Sequence, residues 1–326
     1  MSDSKCADES DGMDIQKGQY LTSSLGKYSV KELLGRGGYG AVYKVQLEGC
    51  DKLYALKAER KMARRDHTKL NMEVFILKAM ASHPKDRSHF ARIYDKAKKI
   101  RFYFIVMTLL GESLAELKKK FDPPVFSSNT GYAMGMQSLE AIEELHKLFF
   151  IHRDLKPGNF AMGLAPYHHI LYILDFGIAR RIVNEKSEIR VPREKVPFKG
   201  TIRFASLATH QNKELSFKDD IESWIYMIAD MMNPKGVQWK MENTKEAVGE
   251  MKAALRTAEG AKERLFYGMA IQEFVEGFNY LNRLHYTDKP EYKFFYDMLR
   301  AAAAKDRVKM EPPFDWELKT SSSVME

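Results

Sequence analysis

The chain has 326 residues, 44% of them hydrophobic and 29% charged, with a formal charge of +8 and two cysteines. That length holds one large domain or two lobes with a core each, and the composition is that of a soluble globular protein. Its longest apolar run, 102–110, is far short of the roughly 20 residues of a membrane span, and two cysteines with an acidic N-terminus argue against a disulfide framework or a secretory signal.

Residues 1–27 lack apolar periodicity and are expected to form a disordered acidic and polar tail. From Tyr28 onward, short β-branched or aromatic runs at 28–34, 41–47 and 53–58 alternate with glycine-bearing turns, which predicts an antiparallel meander. A helix is predicted over 70–80, and two further strands near 90–94 and 102–107. Past Gly111 the pattern turns helical, with elements predicted at 130–148, 219–232, around Phe274 to Leu281, and 292–303. The 219–232 segment is apolar on most faces and reads as a buried central helix. Pro312-Pro313 ends the helical pattern, and 312–326 is expected to be a short tail.

The chemistry concentrates in four places. Gly35-Arg36-Gly37-Gly38-Tyr39-Gly40 lies between two strands, not between a strand and a helix, which disfavours a dinucleotide site. Backbone without side chains at Gly35, Gly37 and Gly40 can fold over phosphates, with Tyr39 shielding them from water. Lys57 interrupts an apolar strand on the same face as Ala55, and a buried ammonium needs a partner; Glu73 on the following helix is the candidate.

In His152-Arg153-Asp154-Leu155-Lys156-Pro157-Gly158-Asn159, a carboxylate is followed by a cation and then a carboxamide. Asp154 can accept the proton of an attacking hydroxyl, Lys156 can balance phosphoryl charge, and Asn159 can ligate a metal ion. The apolar run 170–174 ends in Asp175-Phe176-Gly177, offering a charged second metal ligand. His152 reads as a packed loop histidine. Asp220 at the start of the buried helix is expected to hold the loop through backbone N–H groups. Either of the last two motifs alone could be chance; four motifs in one order are not.

These residues resemble a eukaryotic protein kinase over about residues 28–311, and Lys156 gives the serine/threonine form. Gly200-Thr201-Ile202-Arg203-Phe204-Ala205-Ser206, followed by Asp219-Asp220-Ile221-Glu222-Ser223, resembles the casein kinase 1 superfamily. Asn159-Phe160-Ala161-Met162-Gly163, Lys289-Pro290-Glu291-Tyr292 and Phe314-Asp315-Trp316-Glu317 are most similar to its tau-tubulin kinase branch. The resemblance implies an α+β bilobal fold: a β-rich N-lobe (28–110) with one main helix, a larger helical C-lobe (111–311), and ATP in the cleft.

It further implies Met107 as gatekeeper, backbone contacts to adenine from Thr108 and Leu110, and a wall of Leu34, Val42, Ala55 and Leu174. A ribose contact would come from Glu116, a phosphate contact from Lys57 braced by Glu73, and Mg2+ ligands from Asn159 and Asp175. Protein substrates are implied, at a cytoplasmic or nuclear location, for a monomer with no nucleic-acid or membrane partner.

Between Gly177 and Gly200 the sole hydroxyl residue is Ser187, so a switch by phosphorylation of this segment is not expected. Arg190, Arg193, Lys195, Lys199 and Arg203 stand against one acid, Glu194, which suggests an anion pocket for acidic or phosphorylated peptides, with Arg203 as its centre. Two rivals are a binding module that keeps the fold without the chemistry, and a small-molecule kinase. Intact Lys57, Glu73, Asp154, Asn159 and Asp175 oppose the first; Lys156 and the 200–206 segment oppose the second.

Overall fold

The computed structural model describes residues 15–37, 40–61, 69–82 and 88–322, which fall into two compact units. The first unit runs to Leu110, apart from the short excursion 88–90 that belongs to the second. It contains strands β1 (Tyr20–Thr22), β2 (Lys27–Gly37), β3 (Gly40–Leu47) and β4 (Leu53–Arg60), helix α1 (Lys69–Ala81), then β5 (Ile93–Lys98) and β6 (Phe102–Thr108). One antiparallel sheet results, in the order β1-β2-β3-β4-β6-β5.

Alternation decides which face is buried. Ala41, Tyr43 and Val45 of β3 and Tyr54, Leu56 and Ala58 of β4 enter one core with Phe104 and Val106. The opposite face of β4 anchors α1 twice. Lys57 binds Glu73 at 2.5 Å, and the Glu59 carboxylate accepts the N–H groups of Lys69 and Leu70 at 3.0 and 2.6 Å. A carboxylate at a helix start satisfies donors that have no intrahelical partner.

Part of the segment expected to be a disordered tail is ordered. Ile15 and Leu21 are buried in the core, and β1 pairs with β2. The sheet curls until Tyr28 in β2 donates its hydroxyl to Asp95 in β5 at 2.7 Å, across three intervening strands. Lys99 reaches Thr22 at 2.9 Å. These long-range contacts have no trace in local periodicity. The strand expected at 90–94 instead begins at Ile93 and runs to Lys98. Its exposed Lys96 and Lys98 suit a sheet edge, where charge blocks further pairing.

The second unit holds α2 (Leu114–Lys118), α3 (Ser128–Lys147), β7 (Phe150–Ile151), a 3-10 turn at Pro157–Asn159, β8 (Phe160–Met162), β9 (Leu171–Ile173) and β10 (Arg180–Arg181). Then come α4 (Leu207–His210), α5 (Phe217–Met232), α6 (Lys245–Ala254), α7 (Ala261–Leu265), α8 (Ile271–Asn282), α9 (Tyr292–Lys305) and α10 (Asp315–Ser322). Helix α5 is buried on almost every face, as its sequence predicts, and packs on α3 and α8. Two ribbons, β7 with β10 and β8 with β9, complete the unit, and β7 and β9 pack on α3.

The expected tail after Pro312-Pro313 is likewise structured in part. Phe314 is buried, Trp316 packs edge-on against Phe126 at 5.6 Å, and Asp315 accepts the Ser127 N–H at 2.7 Å. Because Ser127 is the N-cap of α3, helix α10 docks on a helix start 188 residues earlier in the chain.

Candidate active site

In the first unit, Gly37 pairs with Gly40 and Gly35 with Val42 at the end of the β2–β3 hairpin; Gly38 and Tyr39 lie outside the described residues. Gly40 is sterically obligatory, since a Cβ there would sit 2.1 Å from the Ala58 carbonyl oxygen. At Gly35 a Cβ would meet nothing within 4 Å, so that position leaves open backbone and relieves no clash.

Register places Val42 opposite Lys57 and Ala55 opposite Met107, so Val42, Ala55, Lys57 and Met107 share one face of the sheet. Ala55 and Met107 are buried there, whereas Leu34, at a bulge, is exposed. The Thr108 N–H already donates to Arg92 O at 3.0 Å. An adenine contact at Thr108 therefore falls to its carbonyl oxygen, while Leu110 is half-buried next along.

In the second unit, the loop after β7 carries Asp154, Lys156 and Asn159. Arg153 adopts φ +70° and Asp175 φ +64°, left-handed values that cost a non-glycine residue free energy. Asp220 compensates at the first: its carboxylate accepts the N–H of His152 at 2.6 Å and of Arg153 at 2.9 Å, with His146 Nε2 at 2.8 Å. Burial opposes charge on Asp220, but the His146 imidazole and the neighbouring donors outweigh it and hold its carboxyl below the usual range. The role expected for Asp220 is the one observed. His152 is buried, with Nε2 against Leu174 O at 2.9 Å and its ring 5.5 Å from Phe176, as a packed loop histidine should be.

Asp154 is held from three sides. Thr201 Oγ1 donates to its Oδ1 at 2.7 Å, Lys156 Nζ to its Oδ2 at 2.8 Å, and Lys156 also reaches Thr201 Oγ1 at 3.0 Å. Asn159 Nδ2 donates to the Asp154 carbonyl at 2.8 Å, which leaves Oδ1 as the amide atom able to act as a ligand. Leu174 N donates to Asn159 O at 2.8 Å, continuing the β8–β9 ribbon and bringing exposed Asp175 to the same end as Asn159. Both offer hard oxygen donors, which fits a magnesium ion. The His168, His169 and Glu317 ligand atoms also converge, within 4.8 Å of one another, but paired imidazoles suit a softer metal.

Thr201, within the 200–206 motif, is a site residue whose role the sequence does not signal. Its approach depends on Gly200, at φ +105°, where a Cβ would lie 2.6 Å from the Arg153 carbonyl oxygen. Glu116, expected at a ribose, closes a capping box on α2 by accepting from Ser113 N and Oγ, each at 2.8 Å.

The expected anion pocket comprises Arg203, Arg193 and Lys199. Arg203 donates to Lys240 O at 3.0 Å and lies 3.6 Å from Asp230, while Lys199 is exposed. Arg193 grips Glu214 with two nitrogens, at 2.5 and 3.1 Å, and Arg180 stands 3.6 Å from the same carboxylate. Burial opposes charge on Glu214, but these arginines hold its carboxyl low. Arg193 is thus largely neutralised from within the chain.

The family model of the protein kinase domain matches residues 28–304. A probable serine/threonine-protein kinase of Dictyostelium discoideum is 31% identical over 300 residues, covering 92% of this chain and 58% of that protein. The chain therefore spans little more than half of that relative. A putative serine/threonine-protein kinase of Caenorhabditis elegans is 33% identical over 297 residues, covering 89% of this chain and 82% of the relative. A putative casein kinase I of the same organism is 31% identical over 211 residues, covering 64% and 60%.

Proposed function

The chain belongs to the protein kinase family, a class of ATP-dependent phosphotransferases, and from that premise we propose that it is an active serine/threonine kinase of the casein kinase 1 superfamily, on its tau-tubulin kinase branch. The observation that carries the reading is the arrangement around Asp154. A carboxylate held by Thr201 and Lys156, with the Asn159 amide bonded to the same residue's backbone, is the arrangement that transfer to a hydroxyl requires.

In this reading a serine or threonine hydroxyl gives its proton to Asp154 as its oxygen bonds to the γ-phosphorus, and the bond to the β-phosphate oxygen breaks to release ADP. Lys156 balances the charge that develops on the transferred group. Asn159 and Asp175 would hold the magnesium ion, which neutralises phosphate charge. Lys57, fixed by Glu73, would hold the α- and β-phosphates, and the Val42, Ala55 and Met107 face would receive adenine with Thr108 and Leu110.

We further propose that this enzyme works without phosphorylation of the 177–200 segment. In support, Arg153 is bonded to the Ile178 carbonyl, and Arg180 and Arg193 clasp Glu214, so the chain supplies its own counter-charge. Acidic or phosphorylated peptides, met by Arg203, are the proposed substrates, for a monomeric enzyme in cytoplasm or nucleus. Among the described residues no helix is long and apolar enough to cross a membrane.

The test is transfer of labelled γ-phosphate from Mg-ATP to casein and to an acidic peptide, wild type beside Asp154→Asn. Incorporation on serine or threonine that vanishes in the variant is expected. ATP binding by both proteins with transfer by neither would leave a nucleotide-binding scaffold.

A further inference from the structure

Lys252 is a lysine with no solvent-exposed surface. It lies on α6, and Gly249, one turn earlier, explains how α6 comes so close to α4: a Cβ there would meet His210 Cβ at 3.1 Å. Burying an ammonium is costly unless donors are matched, and here they are matched by backbone. Its Nζ donates to the Ile202 carbonyl at 2.9 Å and the Ala205 carbonyl at 2.6 Å, with His210 Nε2 at 3.2 Å. The rings of Tyr226 and Trp239 face the ammonium at 4.9 and 5.1 Å, and Trp239 Nε1 donates to the Arg203 carbonyl at 2.7 Å. Two amides, of Phe204 and Ala205, turn back on Thr201 O at 3.0 Å. Four of the five carbonyls from Thr201 to Ala205 are therefore pinned.

We propose that Lys252 is a positioning residue for phosphoryl transfer, holding the Ile202–Ala205 backbone so that Thr201 meets Asp154 and Arg203 faces the peptide. This rests on the kinase reading above. Among the described residues no carboxylate forms an ion pair with the ammonium. The charged and titratable groups that face it are Glu222 and Tyr226 from α5, Arg256 from its own helix and His210 from α4. Burial, only partly offset by Glu222, brings its pKa down to about 7. Opening the segment to water would return this lysine to its ordinary, higher pKa, and the neutral amine keeps two N–H donors for Ile202 O and Ala205 O, so the segment tightens as pH rises through neutrality.

The experiment compares wild type, Lys252→Met and Lys252→Arg. Methionine keeps the buried stem without donors, and arginine keeps donors and charge. Lys252→Met is expected to raise the peptide KM about tenfold while ATP affinity stays unchanged, with Lys252→Arg recovering part of the loss. The wild-type peptide KM should fall between about pH 6 and about pH 9, and the Lys252→Met profile should be flat over that range.

Hydrogen exchange of the Phe204 and Ala205 amides, which needs no catalysis, should quicken in Lys252→Met and, with pH corrected for intrinsic rate, slow in wild type above neutrality. Unchanged protection and an unchanged peptide KM would overturn the proposal. A wild type that binds ATP but transfers nothing would overturn the kinase reading instead, with the exchange data still deciding on Lys252. If Lys252→Met does not fold, the wild-type pH dependence decides alone: flat protection and flat KM overturn it.

Discussion

Thr201 donates its hydroxyl to Asp154 at 2.7 Å, from a segment 47 residues further along the chain. The bond aims one carboxylate oxygen and ties the 200–206 segment to the loop after β7. Thr201→Ala should lower kcat about tenfold, close to the worth of one hydrogen bond, with ATP affinity unchanged. Thr201→Ser should recover most of it. Steady-state kinetics on one acidic peptide suffices, and an alanine variant with wild-type kcat would remove Thr201 from the site.

Gly200→Ala tests the same approach from the backbone. The added methyl must clear the Arg153 carbonyl at 2.6 Å while holding φ +105°, so the segment must retreat. A loss of about 1–3 kcal/mol in urea unfolding is expected, with kcat reduced more than the Thr201→Ala change reduces it.

Lys57 and Glu73 form a pair in which the acid is almost fully buried and the lysine is one-quarter exposed. Lys57→Met should cost activity at least about a hundredfold, through lost phosphate binding, and also lower stability by roughly 2 kcal/mol, because the buried carboxylate loses its 2.5 Å partner. A double-mutant cycle with Glu73→Gln should return a coupling of about 1 kcal/mol or more; additivity would show that the two act separately.

Asp219 and Asp220 are adjacent yet shifted in opposite directions. Burial raises the Asp219 carboxyl to about 6 from an ordinary 3.8, while it accepts from Ser206 Oγ and Ser216 N, both at 2.8 Å. A raised folded-state value means that the native protein binds this proton more tightly than the unfolded chain. Its contribution is full below the unfolded pKa and is lost as pH climbs to about 6. The stability difference between wild type and Asp219→Asn should therefore shift against wild type across about pH 4 to 6. A difference independent of pH would contradict the assignment.

Arg203 and Arg193 should part company. Arg203→Ala is expected to raise the KM of a phosphorylated peptide about tenfold and leave the unphosphorylated one little changed. Arg193→Ala should instead show as lowered stability, since Arg193 is committed to Glu214. Equal kinetic losses on both peptides in Arg203→Ala would sink the acidic-substrate reading.

Much of this was legible before any coordinates, for physical reasons. Alternating burial along β3 follows from period-two hydrophobicity. The near-complete burial of α5 follows from a helix apolar on most faces. The Lys57–Glu73 pair could be named because a lysine inside an apolar strand must find a counter-charge. Where the reading failed, the deciding contacts were remote. Tyr20–Thr22 is a strand because the sheet curls and Asp95 reaches Tyr28; Asp315–Ser322 is a helix because Ser127 and Phe126 receive it. Glu116 and Arg193 carry the residue types their expected roles need, but nearer partners engage them.

By itself, the sequence determined the protein's class, its two-part architecture and the identity of the acid, amide and cations on hand, because these depend on residue type and short spacing. Only the tertiary structure decided which of those groups meet. Thr201 reaches Asp154 because Gly200 lets two backbones close, and Lys252 disappears beneath the segment because α6 packs on α4. A buried charge is made tolerable by partners far away in sequence, and local patterning carries no information about them.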